Sequence, residues 1–276
     1  MDTDFAKHHE CNPTTLAVPL TAFEILKERT LTEIAALGNS YHNRFHTEER
    51  VMPACEEYAR VAGLSPRDSQ KLAFGALFHD FGHIGRTHRQ LVAGADGANL
   101  SNEEFAGMHA VTAAAAWFPN HECEEIRSLC HASTHGQNRL DELPPEHAAR
   151  LYRPYKPETD LEKILVLADV SSFRWGTESY LRDGINLIGE SSFQGVPQDF
   201  AAFLERARNF LPCIQLRIEQ VAHLFPKQFV TNLSDELNLV HAEIVALADQ
   251  ASPLHDTWKR AFLDAQAAQM NKLRTM

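Results

Sequence analysis

The segment Leu77-Phe78-His79-Asp80-Phe81-Gly82-His83-Ile84-Gly85 places a histidine beside an acid within an otherwise apolar run. Burying an imidazole and a carboxylate without partners is costly, and a metal ion is the simplest group that satisfies both. If the segment is helical, His79, Asp80 and His83 lie on neighbouring parts of one face, because residues three and four apart share a helical face. The segment therefore predicts a metal site; a buried hydrogen-bonded His-Asp pair in a core is the alternative.

The residues before this segment have the pattern of a helix that ends at the His-Asp pair. Ser65 suits the N-cap, Pro66 suits the first helical position, and Asp68 stands three residues past the cap. Gly82 and Gly85 favour an end to the helix at this point. The pair is therefore expected at the rim of the core, where water and substrate can reach it.

A second carboxylate is predicted on the apolar face of another helix. The capping box Thr159-Asp160-Leu161-Glu162 begins this helix, and Leu161, Leu165 and Asp169 follow at intervals of four residues. An acid on an apolar face is rarely left unpaired. Asp169 is therefore a candidate metal ligand, with a salt bridge as the alternative.

If a helix starts near Tyr41, the stretch Tyr41-His42-Asn43-Arg44-Phe45-His46 places His42 and His46 one turn apart on the same side. One of them can bind metal while the other stays free for proton transfer. The alternative is a pair of solvated or capping histidines.

Three further histidines follow the His-Asp pair at helical positions. His109 lies on or beside the apolar stripe of a helix that Ser101-Asn102-Glu103-Glu104 begins, and His131 and His135 stand one turn apart near the end of the next helix. Each is a candidate ligand, although a lone histidine on an apolar stripe is more often a satisfied core residue.

Helical periodicity recurs along the chain, and strand-like alternation is missing, so the predicted fold is all-α. We expect a loose N-terminal arm (1–15), a helical metal-binding core (16–175) and a C-terminal helical scaffold (176–276) that packs on the core. Within the core, residues 86–100 are predicted to form a loop and residues 136–158 an extended connection. The scaffold is also where we expect any contact of a homo-oligomer.

Composition restricts the partners of the 276-residue chain. Its formal net charge of −11 disfavours nucleic acid polymers and anionic membranes, because either would be repelled. The five cysteines are odd in number and form no CxxC pair, which favours a reducing compartment. No apolar run reaches membrane-spanning length. We therefore expect a cytoplasmic protein whose partner is a small molecule.

The ordered set His46, His79-Asp80 and Asp169 resembles the HD superfamily of metal-dependent phosphohydrolases, which is named after the adjacent His-Asp pair. The resemblance covers about residues 40–175. The phrases YHNRFH, FHDFGHIG and LADVSS are similar to the motif series of the class I cyclic-nucleotide phosphodiesterase branch.

This resemblance implies roles for the candidate residues. His42 would donate a proton to the leaving oxygen, Asp80 would bridge to a second ion, and His83 would lie beside the bridging water. His109, and His135 or His131 as its alternative, fall where other HD families with two protein-bound metals place ligands. The first metal site would be completed by His46, His79, Asp80 and Asp169.

Imidazole and carboxylate ligands without thiolate suit iron, manganese, zinc or magnesium. Two such ions that share a carboxylate can clamp phosphoryl oxygens and lower the pKa of a bridging water, which yields hydroxide at neutral pH. A histidine free of metal can protonate the departing alkoxide. The expected activity is therefore phosphodiesterase or phosphomonoesterase hydrolysis of a small, nucleotide-like phosphate ester.

Three alternatives stay open. The first is an HD-type di-iron oxygenase, because histidine-rich mixed ligands also activate dioxygen. The second is a non-catalytic nucleotide-binding regulatory module that retains the HD fold. The third is an all-helical protein whose histidines are solvated or ordinary core residues, and it predicts negligible bound metal.

Overall fold

A computed structural model describes residues 20–84, 92–93, 99–100, 102–133, 157–192 and 195–275. Within these ranges the chain is built from α-helices, which confirms the all-α prediction. Two short strands, Val92–Ala93 and Asn99–Leu100, pair antiparallel within the stretch predicted as a loop. The α-helices are α1 (Leu20–Ala36), α2 (Arg44–His46), α3 (Met52–Ala62), α4 (Pro66–Phe78), α5 (Asn102–Ala114), α6 (Asn120–Ala132), α7 (Asp160–Asp169), α8 (Gly176–Ile188), α9 (Phe200–Val221), α10 (Lys227–Ala248) and α11 (His255–Thr275).

Three shorter helical segments join these elements. A π-helical turn, Thr47–Val51, connects α2 to α3, and 3-10 turns at Ser171–Trp175 and Ala222–Leu224 follow α7 and α9. π-Helical turns recur at functional sites in proteins. The turn at Thr47–Val51 begins directly after His46.

The predicted capping residues begin two of the helices that carry site residues at their ends. At α4, Asp68 N donates to Ser65 Oγ at 3.0 Å. At α7, Glu162 N donates to Thr159 Oγ1 at 3.2 Å, and Thr159 N donates in return to Glu162 Oε2 at 3.0 Å. Local sequence thus sets where these helices begin.

Helix α4 lies between two hydrophobic clusters. Leu72 and Ala76 pack with residues of α3, α7 and the C-terminal helices, whereas Phe74 and Leu77 pack with α1, α5 and α6. The C-terminal end of a helix enclosed in this way lies inside the molecule. Polar residues there must find partners, and this is where the His-Asp pair stands.

Helices α8 to α11 belong to the first of these clusters. Leu181, Phe203, Ile214 and Phe262 are buried in the same cluster as Tyr58 and Ile164 of the N-terminal helices. The segment predicted as a scaffold therefore packs on the core that carries the site. The predicted arm (1–15) and the predicted connection (136–158), apart from its last two residues, lie outside the described residues.

Of the cysteines among the described residues, Cys55, Cys123, Cys130 and Cys213 are free thiols. Of the helices in the described ranges, none is both long and apolar enough to cross a bilayer.

Gly75 marks the closest approach of α4 to α6. A Cβ atom at this position would lie 2.8 Å from both Cβ and Cδ1 of Leu129. Alanine is normally preferred to glycine inside a helix, by about 0.5–1 kcal/mol, but overpacking costs about 1–3 kcal/mol. We therefore expect Gly75→Ala to lower the free energy of unfolding in urea by about 1–2 kcal/mol. Gln70→Ala, at a less buried position of α4, is the control and should change the free energy of unfolding by less than about 0.5 kcal/mol. A Gly75→Ala variant that is more stable than the wild type would contradict this packing.

Candidate active site

Three separate helix ends bring together the four residues of the predicted first metal site. His46 is the last residue of α2, His79 and Asp80 follow α4 directly, and Asp169 is the last residue of α7. All four are buried, with exposed fractions between 1% for His79 and 7% for Asp169. We call them the donor cluster.

The donor cluster is compact. His46 Nε2 lies 3.0 Å from Asp169 Oδ1 and 3.6 Å from Asp80 Oδ2. His79 Nε2 lies 3.1 Å from Asp80 Oδ2 and 3.6 Å from Asp169 Oδ1. Atoms that coordinate one ion at about 2.1 Å lie roughly 3.0 Å apart in octahedral geometry and roughly 3.4 Å apart in tetrahedral geometry. Ligand atoms of His46, His79 and Asp169 also lie within 4.8 Å of one another, so these three residues fit a single cation, with Asp80 Oδ2 beside both histidines.

The hydrogen bonds of His79 leave one nitrogen for the cluster. Its Nδ1 donates to the carbonyl of Ala76 at 2.8 Å, which fixes the ring and directs Nε2 toward the carboxylates. Among the described residues, neither His79 Nε2 nor Asp80 Oδ2 makes a hydrogen bond, although both are buried and only 3.1 Å apart. Buried polar atoms without hydrogen bonds are rare, so these two fit the positions of metal ligands.

The neighbouring charges in the cluster shift the pKa values of Asp80 and His79 in opposite directions. Burial alone would raise the pKa of Asp80, but the charges of His79, His42 and His46 outweigh burial and hold this pKa well below its usual range. Burial alone would lower the pKa of His79, but Asp80 and Asp169 outweigh it and raise the pKa. Asp80 is thus held ionised, in the form that binds a cation.

The end of α4 next to the His-Asp pair agrees with the helix end predicted there, so the helical continuation that would place His83 on the same face is not observed. The helix ends at Phe78, and Gly82 takes a positive φ of 74°, a conformation that glycine adopts without the cost a side chain would add. A Cβ atom at Gly82 would also lie 2.3 Å from the ring of Phe105. His83 therefore does not share one helical face with His79 and Asp80, which corrects that expectation.

His83 instead lies against His42. Their imidazole rings are stacked, with centroids 3.7 Å apart and an angle of 17° between the planes. The helix begins at Arg44 and not near Tyr41, so His42 lies before α2, and its ring is 6.4 Å from that of His46. The structure thus brings both predicted catalytic histidines to the edge of the donor cluster.

Glu190, which the sequence analysis did not single out, completes this second group. Its Oε2 accepts a hydrogen bond from His42 Nδ1 at 2.5 Å, and its Oε1 accepts from the backbone N–H groups of Tyr41 and His42. Glu190 is only 2% exposed. Burial alone would raise its pKa, but the hydrogen bond and charge of His42, with the N–H of Tyr41, outweigh burial and lower the pKa.

Both groups have the composition of metal sites. Ligand atoms of His46, His79 and Asp169 lie within 4.8 Å of one another, and the same holds for His42, His83 and Glu190. In the second group both oxygens of Glu190 already accept hydrogen bonds. A carboxylate that holds Nδ1–H of an imidazole fixes its tautomer and leaves Nε2 for proton transfer. The second group therefore has the arrangement of an oriented proton donor.

The other predicted ligands are not brought to the donor cluster. The ring of His109 packs against Phe81 and Phe105, with centroids 4.9 and 4.4 Å away, and burial lowers its pKa. His131 Nε2 lies 3.0 Å from where a Cβ atom of Gly107 would be, so it faces α5. Neither residue belongs to the groups of mutually close ligand atoms found among the described residues, and their role as ligands stays a prediction. His135 lies outside the described residues.

The family model for the HD domain matches residues 46–173. This match supports the HD superfamily for that part of the chain, as the resemblance of His46, His79-Asp80 and Asp169 had implied. HD domains are in general metal-dependent phosphohydrolases. His42 and Glu190 both lie outside the matched residues. No curated protein and no solved structure matched the chain.

Proposed function

We propose that this protein is a metal-dependent phosphohydrolase that cleaves a small phosphate monoester or diester. The observation that carries the proposal is the pairing of two groups: buried imidazoles of His46 and His79 next to the carboxylates of Asp80 and Asp169, and beside them a histidine held by a carboxylate. The first group suits a cation that binds phosphoryl oxygens, and the second suits protonation of the leaving oxygen.

The donor cluster fits a divalent metal ion. His46, His79, Asp80 and Asp169 would hold the ion, and Asp80 is the ligand that a second ion would share. The mixed nitrogen and oxygen donors suit iron, manganese, zinc or magnesium. When bound, such ions neutralise phosphoryl charge and lower the pKa of a coordinated water to near neutrality.

His42 is the proposed general acid. Because Glu190 accepts a hydrogen bond from His42 Nδ1–H, Nε2 is the nitrogen that can protonate the departing alkoxide. The ring of His83, stacked on His42 at 3.7 Å, limits how the His42 ring can rotate. The 6.4 Å between the rings of His42 and His46 leaves the proton donor within reach of an ester bound at the donor cluster.

The substrate class follows from charge and size. With a net charge of −11 the chain repels polyanions, and the buried donor cluster suits one phosphate ester rather than a polymer. We propose a small, nucleotide-like phosphate ester as the substrate, without a preference between cyclic and acyclic forms.

Metal reconstitution followed by a substrate panel tests this proposal. The purified full chain, loaded separately with Mn²⁺, Fe²⁺, Zn²⁺ or Mg²⁺, should release p-nitrophenolate or phosphate from at least one member of a panel of p-nitrophenyl esters, nucleotides and cyclic nucleotides. Removal of metal with EDTA should abolish turnover, and adding metal back should restore it.

Oxygen consumption is measured in parallel, because a di-iron oxygenase is the main competing function. That function needs further protein ligands, and neither His109 nor His131 belongs to the groups of mutually close ligand atoms among the described residues. Metal-loaded protein that cleaves no ester but consumes oxygen with a sugar or phosphonate would overturn the hydrolase proposal. Tight nucleotide binding without turnover would favour a regulatory module instead.

A further inference from the structure

Two glutamines of the last helix hold the connection between α8 and α9. Gln269 Nε2 donates to the carbonyl of Ser191 at 2.7 Å. Gln266 Nε2 donates to the carbonyls of Pro197 at 2.6 Å and Gln198 at 3.0 Å. Gln269 is 2% exposed. Burying an amide is unfavourable unless it is hydrogen-bonded. The hydrogen bond to Ser191 therefore holds the buried Gln269 side chain in place.

The carbonyl that Gln269 holds belongs to the residue directly after Glu190. Ser191 is also tied back to α8, because its N–H donates to Ile188 O at 3.0 Å and its Oγ donates to Leu187 O at 2.8 Å. The end of α8 is therefore anchored to its own last turn and to α11. A shift of Ser191 would shift the Glu190 backbone with it.

The segment that carries His42 is docked on this same end of α8. Ser40 Oγ donates to Asn186 O at 2.7 Å. A Cβ atom at Gly189 would lie 2.5 Å from Ser40 Oγ, so the two chain segments are in direct contact. Glu190 then receives the N–H groups of Tyr41 and His42. The position of the His42 ring thus depends on where α8 ends.

We propose that Gln269 is a positioning residue for the proton donor, acting through Ser191 and Glu190 on His42. Gln269 lies in the C-terminal scaffold, 96 positions beyond the end of the HD match at residue 173. It would then set the geometry of the general acid. This inference rests on the proposed function, and its test therefore includes a readout that does not depend on turnover.

Gln269→Met removes the donor while keeping similar length, and Gln266→Met is the matched control on the same helix. We expect Gln269→Met to lower kcat for an alkyl phosphate ester by about 10- to 100-fold, because small displacements of a catalytic group have effects of this size. A p-nitrophenyl ester needs little protonation of its leaving group, so its kcat should fall far less. Gln266→Met should leave both rates and the metal content near those of the wild type.

Proton NMR gives the readout that is independent of turnover. A ring N–H that donates to a carboxylate resonates far downfield, and the signal of His42 can be assigned by its loss in His42→Asn. It should shift or broaden in Gln269→Met and stay unchanged in Gln266→Met. If the wild type cleaves no ester, the proposed function fails, but this comparison still tests the positioning role.

A double variant separates positioning from general stabilisation. In a Glu190→Gln background, Gln269→Met should add little further loss for the alkyl ester, because both changes act on the same group. Gln269→Glu, which also lacks the Nε2 donor, is the second variant should the methionine variant not fold. Equal losses for alkyl and p-nitrophenyl esters, full additivity, an unchanged His42 signal, or the failure of both variants to fold would each overturn the proposal.

Discussion

Replacing His79 with alanine should remove the bound metal ion and lower phosphoesterase activity by at least about 1000-fold, a loss of roughly 4 kcal/mol of transition-state stabilisation. The side chain supplies one nitrogen of the donor cluster, and its Nε2 lies 3.1 Å from Asp80 and 3.6 Å from Asp169. Without it, the buried carboxylates of Asp80 and Asp169 lose a shared imidazole neighbour, and the cluster loses one ligand. Metal per chain by elemental analysis and kcat/KM for the best ester of the panel measure the two effects.

His109→Ala is the matched control for this prediction. It removes an imidazole from the same half of the chain, but that ring packs against Phe81 and Phe105 rather than in the cluster. We expect it to keep its metal, with a modest loss of stability. A His79→Ala protein that still bound stoichiometric metal, or a His109→Ala protein that lost it, would show that the ligands had been assigned wrongly.

Local sequence nominates His79, Asp80 and Asp169 because they stand near readable helix ends or on an apolar face, whereas the grouping of these residues with His46 at one site came from the resemblance to the HD superfamily. Ser65 and Thr159 are caps that set where α4 and α7 begin, and apolar periodicity then sets which residues face inward. Asp169 on an apolar face and His79-Asp80 at a glycine-marked helix end are local features. Caps and apolar periodicity can be read within a single segment, so these residues can be nominated without knowing which segments pack together.

Glu190 could not be predicted in this way. It contacts His42 across 148 positions of sequence, and it stands just past the end of α8, where an acid is more often solvated. Its burial depends on the packing of α8, α11 and the segment before α2. The nearest local signal was Gly189, whose missing side chain lets Ser40 approach, but a glycine after a helix is common.

The surroundings of His109, His131 and His83 could not be predicted for a related reason. Spacings of three and four residues show which side chains share a helical face, but not which neighbour that face meets. His109 faces two phenylalanine rings, and His131 faces α5. His83 was expected beside Asp80 on one helix, but the turn at Gly82 carries it to His42.

The His42–Glu190 pair leads to the second large effect. His42→Asn should lower kcat for an alkyl phosphate ester by about 100- to 10,000-fold, the usual contribution of general acid catalysis, while a p-nitrophenyl ester is affected far less. The alkoxide is a poor leaving group that must be protonated, whereas p-nitrophenolate is stable as an anion. Glu190→Gln should produce the same selectivity with a smaller loss, about 10- to 100-fold, because His42 remains but its tautomer is no longer fixed. Rates with the two esters over a range of pH measure both effects.

The pH dependence of stability separates the role of Glu190 in catalysis from its role in folding. The folded protein holds the pKa of Glu190 below its ordinary value. The ionised carboxylate of Glu190 therefore stabilises the folded state at pH values above its ordinary pKa. This contribution is lost as the pH falls through the lowered pKa. Urea unfolding should show Glu190→Gln less stable than the wild type at neutral pH, with a difference that narrows in acid.

Equal rate losses for both esters, at a pH where the variant is fully folded, would contradict a proton-donor pair and favour the alternative in which His42, His83 and Glu190 hold a cation.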